Sequence, residues 1–229
     1  MRYDTVLFDL DGTLTDSSEG IVKSLQHALK AFGIERERES LLKFIGPPIQ
    51  ENFIELLGKT GEPVERAVKI FRERYERVGY LENRLYEGVP EMLCRLRGAG
   101  LRLCVATSKP QYMAEIVLRH FEIYEYFDFL CGSSRDGALR HKPDIIRCVL
   151  EQPHTERGRA VMVGDRYFDL EGARQYGIDS IGVTYGFGSE EELIPFGPVF
   201  LAGNARACGG FPAGGGLKKA PCVLAEKGV

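Results

Sequence analysis

The apolar rhythm of the chain opens on a short continuous run, Thr5-Val6-Leu7-Phe8, which reads as a buried strand. Helical spacing follows: Ile21, Leu25, Ala28, Leu29 and Phe32 share one face, with Asp16 and Glu19 as a start signal and Gly33 as a stop. A second segment covers roughly Glu39 to Ile45. Gly46-Pro47-Pro48 breaks it, and another helix is expected from about Ile49 to Leu57. A fourth begins near Pro63, where Val64, Val68, Phe71, Tyr75 and Val78 form one apolar stripe. The dense charge between Arg72 and Arg77 is then its solvated face. Residues from about 16 to 82 therefore read as all-helical, with no strand signal.

From about Tyr86 the rhythm changes to alternation. Val89, Met92, Leu93 and Leu96 mark a helix with Pro90 in its first turn, ended by Gly98 and Gly100. Strands are expected at Leu101 to Ala106, Phe127 to Cys131, Ala160 to Val163 and Ser180 to Val183. Helices are expected at Tyr112 to His120, Asp144 to Glu151 and Phe168 to Tyr176. Such alternation implies an α/β fold, a parallel sheet with helices on both faces, to which the first strand belongs. The boundaries that follow are a discontinuous α/β core (1–15 and 84–203) and an inserted all-helical domain (16–83). A Gly-rich tail (204–229) lacks a sustained apolar period and reads as poorly ordered.

Composition narrows this picture. Hydrophobic residues at 44% and charged residues at 28% of 229 suit a globular protein with a real core. A net charge of −3 gives no basic field for nucleic acid. No apolar run approaches the ~18 residues of a membrane span. Met1-Arg2-Tyr3-Asp4 leads straight into the first strand without a signal-peptide pattern, so a cytoplasmic location is expected. The six cysteines form no C-x-x-C pair and no zinc spacing with histidine, and Cys94, Cys104, Cys131 and Cys148, inside apolar segments, read as reduced, buried thiols.

Candidate chemistry gathers where strands end. Asp9 and Asp11 alternate onto one side of the first strand, and Gly12 lets the chain bend there. Open α/β sheets bind ligands at that edge, although an isolated D-x-D-G also makes plain turns. Thr107-Ser108 follows the next strand, where hydroxyl and backbone N–H groups can donate to phosphate oxygens. Lys142 precedes a helix and can neutralise a phosphate as a point charge. Gly164-Asp165, with Asp169 four residues on, places two carboxylates close enough to share a cation such as Mg2+. Each group alone has a bland reading as a turn former, a solvated lysine or a helix-dipole partner. Four strands ending in such groups along one edge supply nucleophile, acid/base, phosphate donors and metal ligands together.

As a set, Phe8-Asp9-Leu10-Asp11-Gly12-Thr13, Thr107, Lys142 and Gly164-Asp165 through Asp169 resemble the four signature motifs of the haloacid dehalogenase superfamily, over about residues 3 to 200. The helical insertion resembles the small cap of its phosphoglycolate-phosphatase-like branch. Gly46-Pro47-Pro48 and Thr184-Tyr185-Gly186-Phe187-Gly188 also resemble predicted phosphatases of that branch, some of them called 5′-nucleotidases. The resemblance implies a Rossmann-like core with a helical cap and a phosphomonoester hydrolase acting through an aspartyl-phosphate. In it Asp9 is the nucleophile, and Asp11 carries a proton to the leaving alkoxide and later takes one from water. Mg2+ would be held by the Asp9 carboxylate, the Asp11 backbone carbonyl and Asp165, with Asp169 in support. Thr107, Ser108 and Lys142 would hold the phosphoryl oxygens. Lys43, Phe44 and Gly46 are the cap candidates for specificity, Lys43 toward an anionic ester such as phosphoglycolate and Phe44 toward a nucleoside. The implied substrate is a small phosphorylated metabolite and the implied state a monomer or homodimer. A β-phosphoglucomutase-like mutase is the nearest alternative. A non-catalytic binding or regulatory protein of the same fold is another, disfavoured because every core motif residue is present. The tail departs from the family, whose members end in a strand and an amphipathic helix.

Overall fold

A computed structural model describes residues 2–134 and 138–210. In chain order the elements begin with β1 (Thr5–Phe8), β2 (Thr15–Asp16), α1 (Ser18–Lys30), α2 (Arg38–Leu41), α3 (Ile49–Leu57) and α4 (Glu62–Arg77). They continue with β3 (Arg84–Leu85), α5 (Val89–Gly98), β4 (Arg102–Pro110), α6 (Gln111–His120), β5 (Phe129–Ser133) and α7 (Lys142–Leu150). Last come β6 (Ala160–Gly164), α8 (Tyr167–Gln175), β7 (Asp179–Val183), α9 (Glu190–Leu193), β8 (Phe200–Ala202) and α10 (Ala205–Gly210). The chain divides into two compact units, one of Met1–Leu14 with Leu85 onward and one of Thr15–Arg84.

The first unit is built on a sheet in the order β5-β4-β1-β6-β7-β8, with every pairing parallel. All four residues of β1 and all five of β6 are buried, as expected of strands covered on both faces. Phe8 pairs with Val105 on one side and Val163 on the other, so the end of β1 lies level with Val105 of β4 and Val163 of β6. From β1 the chain builds outward through β4 and β5, then returns to build β6, β7 and β8 on the opposite side. The end of β1 is therefore a topological switch point, where such sheets bind ligands.

Strand β4 runs on to Pro110, where Ala106 was the expected end. Its register with β5 shifts between Ala106 and Pro110, which pairs with Ser133. Thr107-Ser108-Lys109 thus lies in an irregularity of the ladder, a common device for aiming side chains at a site.

The second unit is helical, and α4 buries Val64, Ala67, Val68, Phe71 and Tyr75 along the expected stripe. Two features differ from the sequence reading. Thr15–Asp16 pairs with Arg84–Leu85 in a two-stranded ribbon, too short to show a period. Asp16 belongs to that ribbon, bonding Arg84 at 2.7 Å, and its other oxygen still accepts from the Ser18 N–H at 3.1 Å where α1 starts.

The tail also needs correction. Residues 205–210, expected to be poorly ordered, form α10, which buries Ala205 and Cys208 and lays Gly209 against Met92 of α5. Absence of an apolar period hid it because one short helix can bury small residues alone. Residues 211–229 lie outside the described residues.

Candidate active site

The end of β1 delivers Asp9 and Asp11, the end of β6 Asp165, the first turn of α8 Asp169, and the start of α7 Lys142. All five are buried, Asp165 and Asp169 completely. Asp9, Asp165 and Asp169 each offer one carboxylate oxygen, and these atoms lie within 4.8 Å of one another. The Lys142 ammonium stands 2.9 Å from Asp9 Oδ1 and 2.8 Å from Asp169 Oδ1. It also donates to the Ala106 carbonyl at 2.9 Å. Lys142 thus gathers the carboxylates and ties them to the irregular stretch of β4. The same ammonium is the group that the family resemblance turns toward a phosphoryl oxygen.

Asp165 sits in a backbone cradle. Thr13 Oγ1 donates to its Oδ1 at 3.2 Å, and the Phe187 N–H donates to its Oδ2 at 2.9 Å. Gly12 has φ +91°, and a Cβ there would lie 2.2 Å from Asp165 Oδ2. At Gly186 a Cβ would lie 2.3 Å from the Gly12 carbonyl oxygen and 2.5 Å from Asp165 Cβ. Only glycine fits at either place. Asp169 accepts from the Arg166 N–H at 3.1 Å, closing the start of α8.

Three buried carboxylates against one ammonium leave excess negative charge. Burial, then Asp169 and Asp9, push the Asp165 carboxyl well above the usual range. Burial raises Asp169 to about 6 despite the opposing pull of Lys142. Burial alone would lower Lys142, but Asp169 and Asp9 outweigh it and hold its ammonium firmly protonated. Asp9 Oδ1 and Asp169 Oδ1 are buried and receive no aligned hydrogen bond, only the ammonium charge. A cluster of carboxylate oxygens with unsatisfied lone pairs and surplus charge suits a hard divalent cation such as Mg2+. The residues present therefore fit that ion.

Asp169 holds its proton to about 6 in the folded chain, against 3.8 as its ordinary value. Its contribution to cation-free stability is present below the unfolded value and is lost as pH rises through about 6. Cation binding needs the ionised form. The gain in melting temperature from Mg2+ over EDTA is expected to widen from pH 5 to pH 7; a gain independent of pH would contradict this assignment.

Asp11 has a neighbour the sequence reading missed. Lys109 Nζ donates to both its oxygens, at 2.7 and 3.0 Å, in a pair whose side chains are 4% and 10% exposed. Asp11 therefore lies against an ammonium supplied by β4. The available signal was strand alternation, which puts Lys109 on the face of Thr107. Thr107 is buried and its hydroxyl accepts from the Lys109 N–H at 3.3 Å, while Ser108 is half-buried. Lys109→Met would strand a buried carboxylate, and we expect a loss of about 3 kcal/mol in urea unfolding. Unchanged stability would show that the pair contributes nothing.

The cap candidates belong to the helical unit. Lys43 bonds Glu55 at 2.6 Å and lies over the Phe44 ring at 4.8 Å; Phe44 is buried and Gly46 takes φ +106°. No helix among the described residues is long and apolar enough to cross a membrane. Among the described residues Cys94, Cys104, Cys131, Cys148 and Cys208 are in no disulfide.

Comparison with known proteins agrees with this geometry. Residues 6–183 match the haloacid dehalogenase-like hydrolase family, and the chain belongs to it. It is 43% identical over 208 residues to a 5′-nucleotidase of Pseudomonas aeruginosa, covering 90% of this chain and 94% of that one. A predicted phosphatase of Clostridium acetobutylicum has the same fold, with a TM-score of 0.88 and 41% identity over 92% of this chain and 98% of that one. The chain is also 42% identical over 184 residues to the tyrosine-protein kinase PtkA of Mycobacterium tuberculosis, spanning 80% of its own length and 62% of that protein. With this family and these relatives, the protein is an enzyme of the phosphatase type.

Proposed function

We propose that the enzyme is a Mg2+-dependent phosphomonoester hydrolase that works through an aspartyl-phosphate on Asp9. One observation carries this reading: Asp9, Asp165 and Asp169 converge at the switch point with Lys142 between them. An Asp9 oxygen attacks phosphorus, forming the acyl-phosphate bond as the bond to the ester oxygen breaks. Asp11, protonated and turned from Lys109 for this step, gives its proton to the departing alkoxide. Asp11, now a carboxylate, takes a proton from water as the water oxygen attacks phosphorus. Inorganic phosphate leaves and the Asp9 carboxylate is restored. Thr107, Ser108, Lys142 and nearby backbone N–H groups donate to the phosphoryl oxygens. Bound by Asp9, Asp165, Asp169 and the Asp11 carbonyl, Mg2+ would supply positive charge toward the phosphoryl group.

The substrate proposed is a small phosphorylated metabolite. Nucleoside monophosphates stand first, supported by the similarity to a 5′-nucleotidase, and phosphoglycolate second. Discrimination among esters is assigned to Lys43, Phe44 and Gly46. Phosphate release should be measured over nucleoside monophosphates, phosphoglycolate, sugar phosphates and p-nitrophenyl phosphate, with Mg2+ and with EDTA. Mg2+-dependent release from at least one ester is expected. Isomerised sugar phosphate without free phosphate would replace the hydrolase by a mutase.

A further inference from the structure

Asp165 is held by groups outside the expected ligand set, and those groups are themselves held. Thr13, whose hydroxyl bonds Asp165 Oδ1, is anchored through its own carbonyl: the Tyr185 hydroxyl donates to Thr13 O at 2.9 Å. The Tyr185 ring meets the Tyr86 ring edge-on, with centroids 4.8 Å apart. Cys208 of α10, also buried, lies near Tyr185, so α10 stands beside the same loop. Two residues after Tyr185, the Phe187 N–H bonds the other oxygen of Asp165. The loop that follows β7 thus reaches both oxygens of one carboxylate, directly through Phe187 and indirectly through Tyr185 and Thr13.

We infer that Tyr185 is a positioning residue for the Asp165 cation ligand and that it acts through Thr13. The inference rests on the proposed Mg2+ role. A carboxylate with both oxygens oriented in advance loses less freedom on binding an ion than one free to turn. Groups of this outer kind commonly change metal affinity by 10- to 100-fold. A hydroxyl that reaches a main-chain carbonyl, with its ring already packed on Tyr86, has little packing left to contribute. Its effect therefore belongs to orientation.

The test is Mg2+ titration of the full chain by isothermal calorimetry, alongside steady-state kinetics. Tyr185→Phe keeps the ring and removes only the hydroxyl. It is expected to weaken Mg2+ binding about tenfold, with kcat recovering at saturating Mg2+. Thr13→Val is expected to weaken binding at least as much, and the double variant no more than Thr13→Val alone, because both act on one path. Undiminished affinity in Tyr185→Phe overturns the inference, as do losses that simply add in the double variant. A kcat that saturating Mg2+ does not restore also overturns it, since the hydroxyl would then serve something other than the cation. If the unmodified enzyme binds no Mg2+, the proposed function falls together with this inference. If the unmodified enzyme binds Mg2+ and Tyr185→Phe binds it equally, only the role of Tyr185 falls.

Discussion

Asp9→Asn is expected to reduce phosphate release by about a thousandfold or more, on the scale seen when a covalent nucleophile is removed. The amide has nearly the volume of the carboxylate, so packing at the end of β1 is kept. Lys142 retains Asp169 at 2.8 Å and the Ala106 carbonyl at 2.9 Å. The substitution removes one of the charges that push Asp165 and Asp169 upward, so the cation-free protein should melt no earlier than the unmodified one. Loss of turnover without loss of fold is the combined result that identifies a nucleophile. It is read from phosphate release and thermal melting on the same preparation. Release at the unmodified rate would remove Asp9 from the chemistry and the aspartyl-phosphate with it.

The largest effect on stability is expected from Lys142→Met. The ammonium is buried with Asp9 and Asp169 and is the counter-charge that the described structure sets between them. Methionine fills similar space and leaves those carboxylates facing Asp165 with no ammonium among them. Breaking a buried ion pair from one side costs about 3–5 kcal/mol, because the charge left behind keeps its desolvation penalty. Protonation of the carboxylates, already favoured at Asp165 and Asp169, offsets part of this at low pH. The loss should therefore be greatest above about pH 6 in EDTA, above the value reached by Asp169. Mg2+ should return part of it, since a divalent ion at the three carboxylates replaces the missing charge. Urea unfolding at two pH values, with EDTA and with Mg2+, measures all three. Equal stability of the two proteins in EDTA at pH 7 would mean that the cluster is not held by Lys142.

Much of this site was legible before any coordinates. The spacing of Asp9 and Asp11 put two acids on one side of a strand that must be buried. Gly12 placed a bend beside them, and β-strand ends in a parallel sheet share an edge. Lys109 escaped because a lysine in a Ser-Lys-Pro stretch is ordinarily solvated, and its burial depends on β4 lying beside β1. Tyr185 escaped because nothing local ties a tyrosine after β7 to a threonine after β1. That contact spans 172 positions and exists only once β1, β6 and β7 are side by side. Helix α10 escaped because its burial comes from small residues against α5, which a periodicity reading does not register.

By itself the sequence determined the class of fold, the helical insertion and the identity of the acidic groups at the strand ends. These follow from local rules, since side-chain alternation, apolar period and turn chemistry act within a few residues. The tertiary structure alone decided which charges meet. It set Lys142 between Asp9 and Asp169, Lys109 against Asp11, and Tyr185 behind Thr13 and Asp165. Electrostatic and hydrogen-bond partnership falls off within a few ångströms, and strand order rather than sequence distance determines which groups come that close.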